Sequence, residues 1–263
     1  MTRNGRGSHR TVNGVRIHFL EHGEDGPTLV LIPGITSPAV TWAFVSERLS
    51  AFAKVVTLDN RGRGLSSGGP NLSYRLADYA ADAAGLIRAL EIENPIALGH
   101  SMGGRIAVAL AATHPELVDR LILADPPVSG PGRRAYPLPL DWYLEGIDLA
   151  ARGKTVPATG PLATWNEEQL ALRAQWLPTC DVTAISESRR SFDEEDIHAL
   201  MPSIECATLL ICAGNGGTIT AEEEQEIVGL IDDCRSIRIP DAGHMIPWDD
   251  VDAFTAAIRG FID

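Results

Sequence analysis

Leu98-Gly99-His100-Ser101-Met102-Gly103-Gly104 contains Gly-x-Ser-x-Gly, preceded by the apolar run Pro95-Ile96-Ala97-Leu98. Behind it Arg105-Ile106-Ala107-Val108-Ala109-Leu110-Ala111-Ala112 continues without a turn former, which predicts a helix. A strand must therefore turn sharply into a helix at Ser101. Small residues two positions to either side let the backbone bend there, and the turn lifts the hydroxyl above the sheet edge. Alone, Gly-x-Ser-x-Gly is a weak signal. In a strand–turn–helix frame it marks a nucleophile elbow. The competing reading, a glycine-rich turn ahead of a helix, is decided by whether a base and an acid stand further along the chain.

Outward from the elbow, strands and helices alternate. Thr11–Leu20 sets Asn13-Gly14 between alternating apolar residues, the strongest short hairpin signal, while residues 1–10 are polar and expected to fray. Thr28–Ile32 and Lys54–Asp59 are near-continuous apolar runs, as strands buried on both faces should be. A helix is predicted over Val40–Phe52 and another from Ser73, as N-cap, to Leu90. Arg120–Asp125 reads as a strand stopped by Pro126-Pro127; Ala207–Gly214 and Ser236–Ile239 read as strands, and helices are expected from Ala221 and from Val251. This pattern predicts an α/β fold: a mostly parallel eight-stranded sheet flanked by helices, joined by right-handed crossovers.

Between the sixth and seventh strands regularity fails. Residues 128–202 hold helical pieces around Leu140–Ala151 and Glu167–Leu177, with Trp142, Trp165 and Trp176. So long a stretch reads as a helical cap inserted after the sixth strand, over the C-terminal sheet edge where such folds bind ligands. The core domain is then 1–127 together with 203–263. The tryptophans either wall a pocket or form the cap's own small core.

The 263 residues suffice for one large α/β domain. A net charge of −13 argues against nucleic acid and anionic membranes as partners. The N-terminus Met1–Gly7 has no apolar stretch behind its basic residues, so no signal peptide is expected, and no apolar run approaches a membrane span. Cys180, Cys206, Cys212 and Cys234 show no metal-like spacing and read as free thiols in a reducing cytoplasm.

A serine hydroxyl needs a base, and that base needs an orienting acid. Of seven histidines only His244 follows a strand and sits between a glycine and the final helix. His18, His114 and His198 read as structural or solvated, and His100 as packing locally. The loop after the seventh strand, Gly214–Thr220, is the usual place for the acid but offers no carboxylate before Glu222. Asp125, at the end of the sixth strand, is the favoured acid, with Glu222 and Asp241 as alternatives. The oxyanion hole should combine the N–H of Met102 with that of Ile35 in the loop after the third strand, Thr36 close behind.

Gly99–Gly103 within a capped α/β pattern resembles the α/β-hydrolase superfamily, over nearly the whole chain. Pro33–Pro38 (PGITSP), Asp59–Ser66 (DNRGRGLS), Asp125–Pro137 (DPPVSGPGRRAYP) and Ala242–Asp250 (AGHMIPWDD) resemble, more narrowly, the N-formylmaleamate deformylases of aerobic nicotinate breakdown. Most of the superfamily carries His-Gly at Pro33-Gly34; the donors needed here lie downstream of that proline. The resemblance implies a triad at Ser101, Asp125 and His244 and the release of formate and maleamate through a formyl-enzyme. No metal or organic cofactor is needed. The partner it implies is a small anionic amide, whose carboxylate needs a cation. Arg133 and Arg134 are best placed by sequence, then Arg61 or Arg63; Thr36, Tyr136 and Trp248 are further candidate contacts. Two rivals remain: another reaction on this scaffold (an esterase, lactonase, carbon–carbon hydrolase or cofactor-free haloperoxidase), or a ligand sensor. Haloalkane dehalogenases and epoxide hydrolases need Asp where Ser101 stands.

Overall fold

Asn13 and Gly14, with φ of 51° and 75°, form the two-residue turn that pairs β1 (Arg6–Val12) with β2 (Val15–His22). The structure is a computed structural model that describes residues 5–263. Of the stretch expected to fray, residues 1–4 lie outside the described residues. From Arg6 the chain is instead a strand, because each residue to Val12 finds a partner on β2, Arg6 facing Glu21.

The sheet continues with β3 (Thr28–Ile32), β4 (Lys54–Leu58), β5 (Ile96–His100), β6 (Arg120–Ala124), β7 (Ala207–Ala213) and β8 (Cys234–Ile239), in the order β1-β2-β4-β3-β5-β6-β7-β8. Only the β1–β2 and β2–β4 pairings are antiparallel. The chain steps from β3 outward to β4 and returns to β5 on the other side of β3. Loops leaving β3 and β5 therefore diverge, and a crevice opens between them. That topology sets the position of the site.

Two apolar layers cover the sheet. On one face Ala83, Leu86 and Ile87 of α2 (Leu76–Ala89) pack with Ile106 and Leu110 of α3 (Met102–Thr113). On the other, Val45 and Leu49 of α1 (Ala43–Leu49) join Phe254, Ile258 and Ile262 of the C-terminal helix Val251–Ile262. The helix expected over 40–52 is shorter: Ala39–Trp42 is a 3₁₀ turn, and α1 ends at Leu49. The N-cap of α2 is Arg75 rather than Ser73, whose hydroxyl instead bonds the Asp78 side chain.

Three helices stand between β6 and β7: α4 (Leu140–Ala151), α5 (Glu167–Trp176) and α6 (Val182–Glu194). The third carries too few apolar residues to read as a helix in sequence. Only Ala184, Ile185, Ser188 and Phe192 of α6 are buried, and Asp181 caps it by accepting from the Ala184 N–H at 2.9 Å. Among the described residues no helix is long and apolar enough to cross a membrane. After β7 come α7 (Ala221–Leu230), β8, the short α8 (Ile246–Asp249) and α9 (Val251–Ile262).

Candidate active site

Ser101 stands between β5 and α3 with φ 54° and ψ −123°, a backbone region that costs about 1–3 kcal/mol for a non-glycine residue. The flanking glycines make the bend feasible. A Cβ on Gly99 would lie 2.2 Å from the Gly103 carbonyl oxygen, and one on Gly103 would lie 1.8 Å from that of Ile32. The Gly-x-Ser-x-Gly spacing is thus a steric requirement of bringing β5, α3 and β3 together.

The structure brings Ser101, His244 and Asp125 into one relay. Ser101 Oγ is 2.9 Å from His244 Nε2, and His244 Nδ1 is 2.7 Å from Asp125 Oδ2. Because the carboxylate accepts, Nδ1 carries the proton and Nε2 is left to accept from the serine. Such a relay can take a proton from the hydroxyl and return it to a leaving group. Asp125 follows β6 with φ 43°, its N–H bonded to the Ile211 carbonyl at 2.9 Å. Its Oδ2 also accepts the Thr218 N–H at 2.7 Å and the Thr218 hydroxyl at 3.1 Å. Burial alone would raise the Asp125 pKa; the hydrogen bond and charge of His244, then the Thr218 bonds, hold it below the usual carboxylate range.

The loop after β7 therefore offers no carboxylate of its own and supplies hydrogen-bond donors to that of Asp125. A Cβ on Gly217 would come within 2.8 Å of Asp125 Oδ1, so this close approach requires glycine. The alternative carboxylates, Glu222 in the first turn of α7 and Asp241, are exposed and make no bond to His244. His100 donates from Nε2 to the His244 carbonyl at 2.8 Å, fixing the backbone that carries the His244 ring. Burial, then the neighbouring His244, push the His100 pKa down to about 3, so the ring is neutral.

The β3 and β5 loops meet at the crevice: a Cβ on Gly34 would lie 3.4 Å from Ser101 Cβ. Ile35 and Met102 are buried there, and neither backbone N–H donates to another described residue. The pair expected to form an oxyanion hole thus keeps both donors free. Arg63, which sequence reading offered only as a substrate contact, is a strut. It is fully buried and donates to the Ile35 carbonyl at 2.9 Å, to Ser188 Oγ of α6 at 2.9 Å and to Tyr79. Arg61 is likewise committed, its guanidinium forked onto Asp82 at 2.6 and 2.7 Å.

A cavity of about 30 Å³ lies over Ser101, walled by Ile35, Thr36, His100 and His244 from the core and by Tyr136, Trp142, Tyr143 and Arg173 from the cap. A wider one of about 390 Å³ adjoins it, sharing Tyr136, Leu138, Pro161 and His244 as a common wall. Of the candidate contacts, Thr36 and Tyr136 line the cavity over Ser101. Trp248 does not: it packs beneath, stacked on Trp165 at 4.8 Å and edge-on to Trp42 at 4.9 Å. Arg133 and Arg134 also lie outside the cavity, ion-paired to Glu226 and Glu223 of α7. In sequence all three are merely near the triad; the glutamates that hold the two arginines are about ninety residues away. Of the three tryptophans, Trp142 walls the cavity and Trp165 packs against the core. Sequence reading missed Arg173 and Thr218, neither of which sits in any local motif. The four cysteines are free, and burial pushes the Cys180 and Cys206 thiols up to about 11.

Residues 29–257 match the family described as alpha/beta hydrolase. The chain is 47% identical to N-formylmaleamate deformylase of Pseudomonas putida, over 98% of this chain and 96% of that one. Among solved structures it is similar to N-formylmaleamic acid deformylase from Pseudomonas putida, with TM-score 0.91 and 43% identity, covering 96% of this chain and all of the other. The enol-lactonase of Burkholderia xenovorans shares the fold, with TM-score 0.78 and 24% identity over 97% of this chain and 99% of that one.

Proposed function

Because the chain belongs to the alpha/beta hydrolase family, we propose that it hydrolyses the formyl C–N bond of N-formylmaleamate, giving formate and maleamate. The unbroken relay Ser101–His244–Asp125 carries this reading. The substrate is supported by the relative that is 47% identical over 98% of the chain.

In this substrate one nitrogen is shared by two carbonyls, so amide resonance is weakened and the departing nitrogen is less basic. The formyl carbon, bearing only hydrogen, is the less crowded of the two. Ser101 Oγ attacks it while His244 Nε2 takes the hydroxyl proton. The developing oxyanion is met by the Met102 and Ile35 N–H groups. His244 then protonates the nitrogen, the C–N bond breaks and maleamate leaves. Water, deprotonated by His244, attacks the formyl-serine ester, and formate departs as Ser101 regains its proton. Asp125 keeps the proton of His244 on Nδ1 and stabilises the imidazolium in both halves.

Residues 128–202 form the cap that roofs the reaction, over a core of the described residues up to 127 together with 203–263. Four free thiols are in keeping with work in a reducing cytoplasm, and the net charge of −13 argues against nucleic acid or an anionic membrane as partner. The test is formate release from N-formylmaleamate by the purified protein and by Ser101→Ala. Wild type should release equal amounts of formate and maleamate, and the variant should lose turnover by several orders of magnitude while remaining folded. No formate from wild type refutes the substrate; a folded Ser101→Ala with more than a few per cent of activity refutes the nucleophile.

A further inference from the structure

The sequence asks for a cation to hold a substrate carboxylate, and the arginines nearest the triad in sequence are spent elsewhere. Arg61, Arg133 and Arg134 each bind a carboxylate, and Arg63 is ringed by acceptors. Arg173 of α5 differs from all of them. Its side chain is buried, it lines the same cavity as Ser101, and among the described residues no carboxylate lies within ion-pair distance.

A guanidinium has five N–H donors. Arg173 spends two, both on one neutral residue: it donates to the Thr36 carbonyl at 3.2 Å and to Thr36 Oγ1 at 3.1 Å. Its Nε is buried without a partner. The guanidinium carbon lies 5.9 Å from the ring centroids of both Trp142 and Trp165, contacts that hold the group stiffly and favour its charge. A buried cation with no counter-charge is costly, and burial does lower the pKa of this one. Arginine nevertheless remains charged near neutral pH. The cavity walls contribute no carboxylate. With a net charge of −13, the protein's long-range field repels anions, so an anionic substrate needs a fixed cation inside.

We infer that Arg173 is the anchor for a substrate carboxylate, and that this site therefore selects small amides carrying a negative charge at the end remote from the scissile bond. The inference rests on the reading of Ser101 as nucleophile given above. Thr36, which Arg173 holds, directly follows Ile35, so the bound carboxylate lies on the side of the oxyanion loop. The unspent donor edge of the guanidinium suits a planar two-oxygen acceptor, which a lysine would bind less well.

The test compares formate release from N-formylmaleamate and from its neutral methyl ester, in wild type, Arg173→Gln and Arg173→Lys. Both substrates slow in the variants, because Thr36 loses its support. The charged-to-neutral ratio of kcat/KM is therefore the readout. It should fall about 100-fold in Arg173→Gln, by loss of one partner of a buried charge pair, and recover in part in Arg173→Lys. A second measurement does not depend on altering Arg173. Calorimetry on folded Ser101→Ala should show maleamate, an anion, bound at least about tenfold more tightly than neutral maleamide, a preference lost when Arg173→Gln is added. An unchanged ratio in folded variants, or equal binding of maleamate and maleamide, overturns the anchor. If wild type releases no formate yet Ser101→Ala prefers maleamate through Arg173, the anchor stands and the substrate assignment falls.

Discussion

Replacing Asp125 with Asn separates the two services of the acid, its charge and its hold on the tautomer, and the surrounding hydrogen bonds set the magnitude. Oδ2 meets three donors: His244 Nδ1 at 2.7 Å, the Thr218 N–H at 2.7 Å and, at 3.1 Å, the Thr218 hydroxyl, whose one proton is shared with the Asp125 carbonyl at 2.9 Å. Oδ1 meets only the Ala213 N–H, at 3.4 Å. An amide with its oxygen at the Oδ2 position keeps all three donors matched. The opposite flip sets its NH₂ against the Thr218 N–H, leaving buried donors unpaired at a cost of about 1–3 kcal/mol. Asn also tolerates the φ of 43° found here. His244 therefore keeps its proton on Nδ1, and Nε2 can still accept from Ser101. Only the charge is lost. At about 4 Å and an effective dielectric near 20, that charge is worth about 4 kcal/mol to the imidazolium. The figure corresponds to about 10³ in rate, of which the amide dipole restores a part. The expected loss in kcat is thus about 10²–10³, less than the ~10⁴ known where an amide inverts the tautomer of a triad. Formate release is the assay, with Asp125→Ala and Glu222→Gln alongside. The alanine variant should fall at least about tenfold below the asparagine one, since it strands the donors of both Thr218 and His244. Glu222→Gln should match wild type. If Asp125→Asn is no better than Asp125→Ala, or loses about 10⁴, Thr218 does not pin the tautomer.

Gly103→Ala should destabilise the fold by about 3 kcal/mol or more, since its Cβ would lie 1.8 Å from the Ile32 carbonyl oxygen; a wild-type urea midpoint would contradict this. The pH dependence of stability should carry the mark of His100, whose folded pKa is about 3 against 6.5 unfolded. The unfolded chain binds the extra proton between those values, so stability is fully present above about pH 6.5 and falls with pH through the window. The deficit from this ring is about 3 kcal/mol at pH 4.5, and His100→Gln should show a flatter profile; parallel profiles would refute it. Leu138→Ala should merge the inner and outer cavities and raise the rate on N-butyryl relative to N-formyl substrates about tenfold. An unchanged ratio would show that Leu138 does not limit the acyl group.

The sequence by itself determined the sheet, the elbow and the order of the relay. These are legible because each rests on local chemistry: apolar runs of strand length, an Asn-Gly turn, and small residues where a bend admits nothing larger. The missing carboxylate in Gly214–Thr220 is legible too, and it points to Asp125 as the candidate acid. The donors that hold the Asp125 carboxylate are not legible, since those of Thr218 come from 93 residues away. The third cap helix escaped for a related reason: its buried face consists of Ala184, Ile185, Ser188 and Phe192, which becomes a face only when the core is beneath it. Above all, only the tertiary structure decided which arginine is free. In one dimension Arg133 and Arg134, then Arg61 and Arg63, are better placed than Arg173, which nothing local marks out. Folding neutralises three with carboxylates brought from elsewhere in the chain, surrounds Arg63 with acceptors, and leaves Arg173 buried beside Ser101 with donors unspent. A charge is a property of a residue; whether it is already answered is a property of the fold.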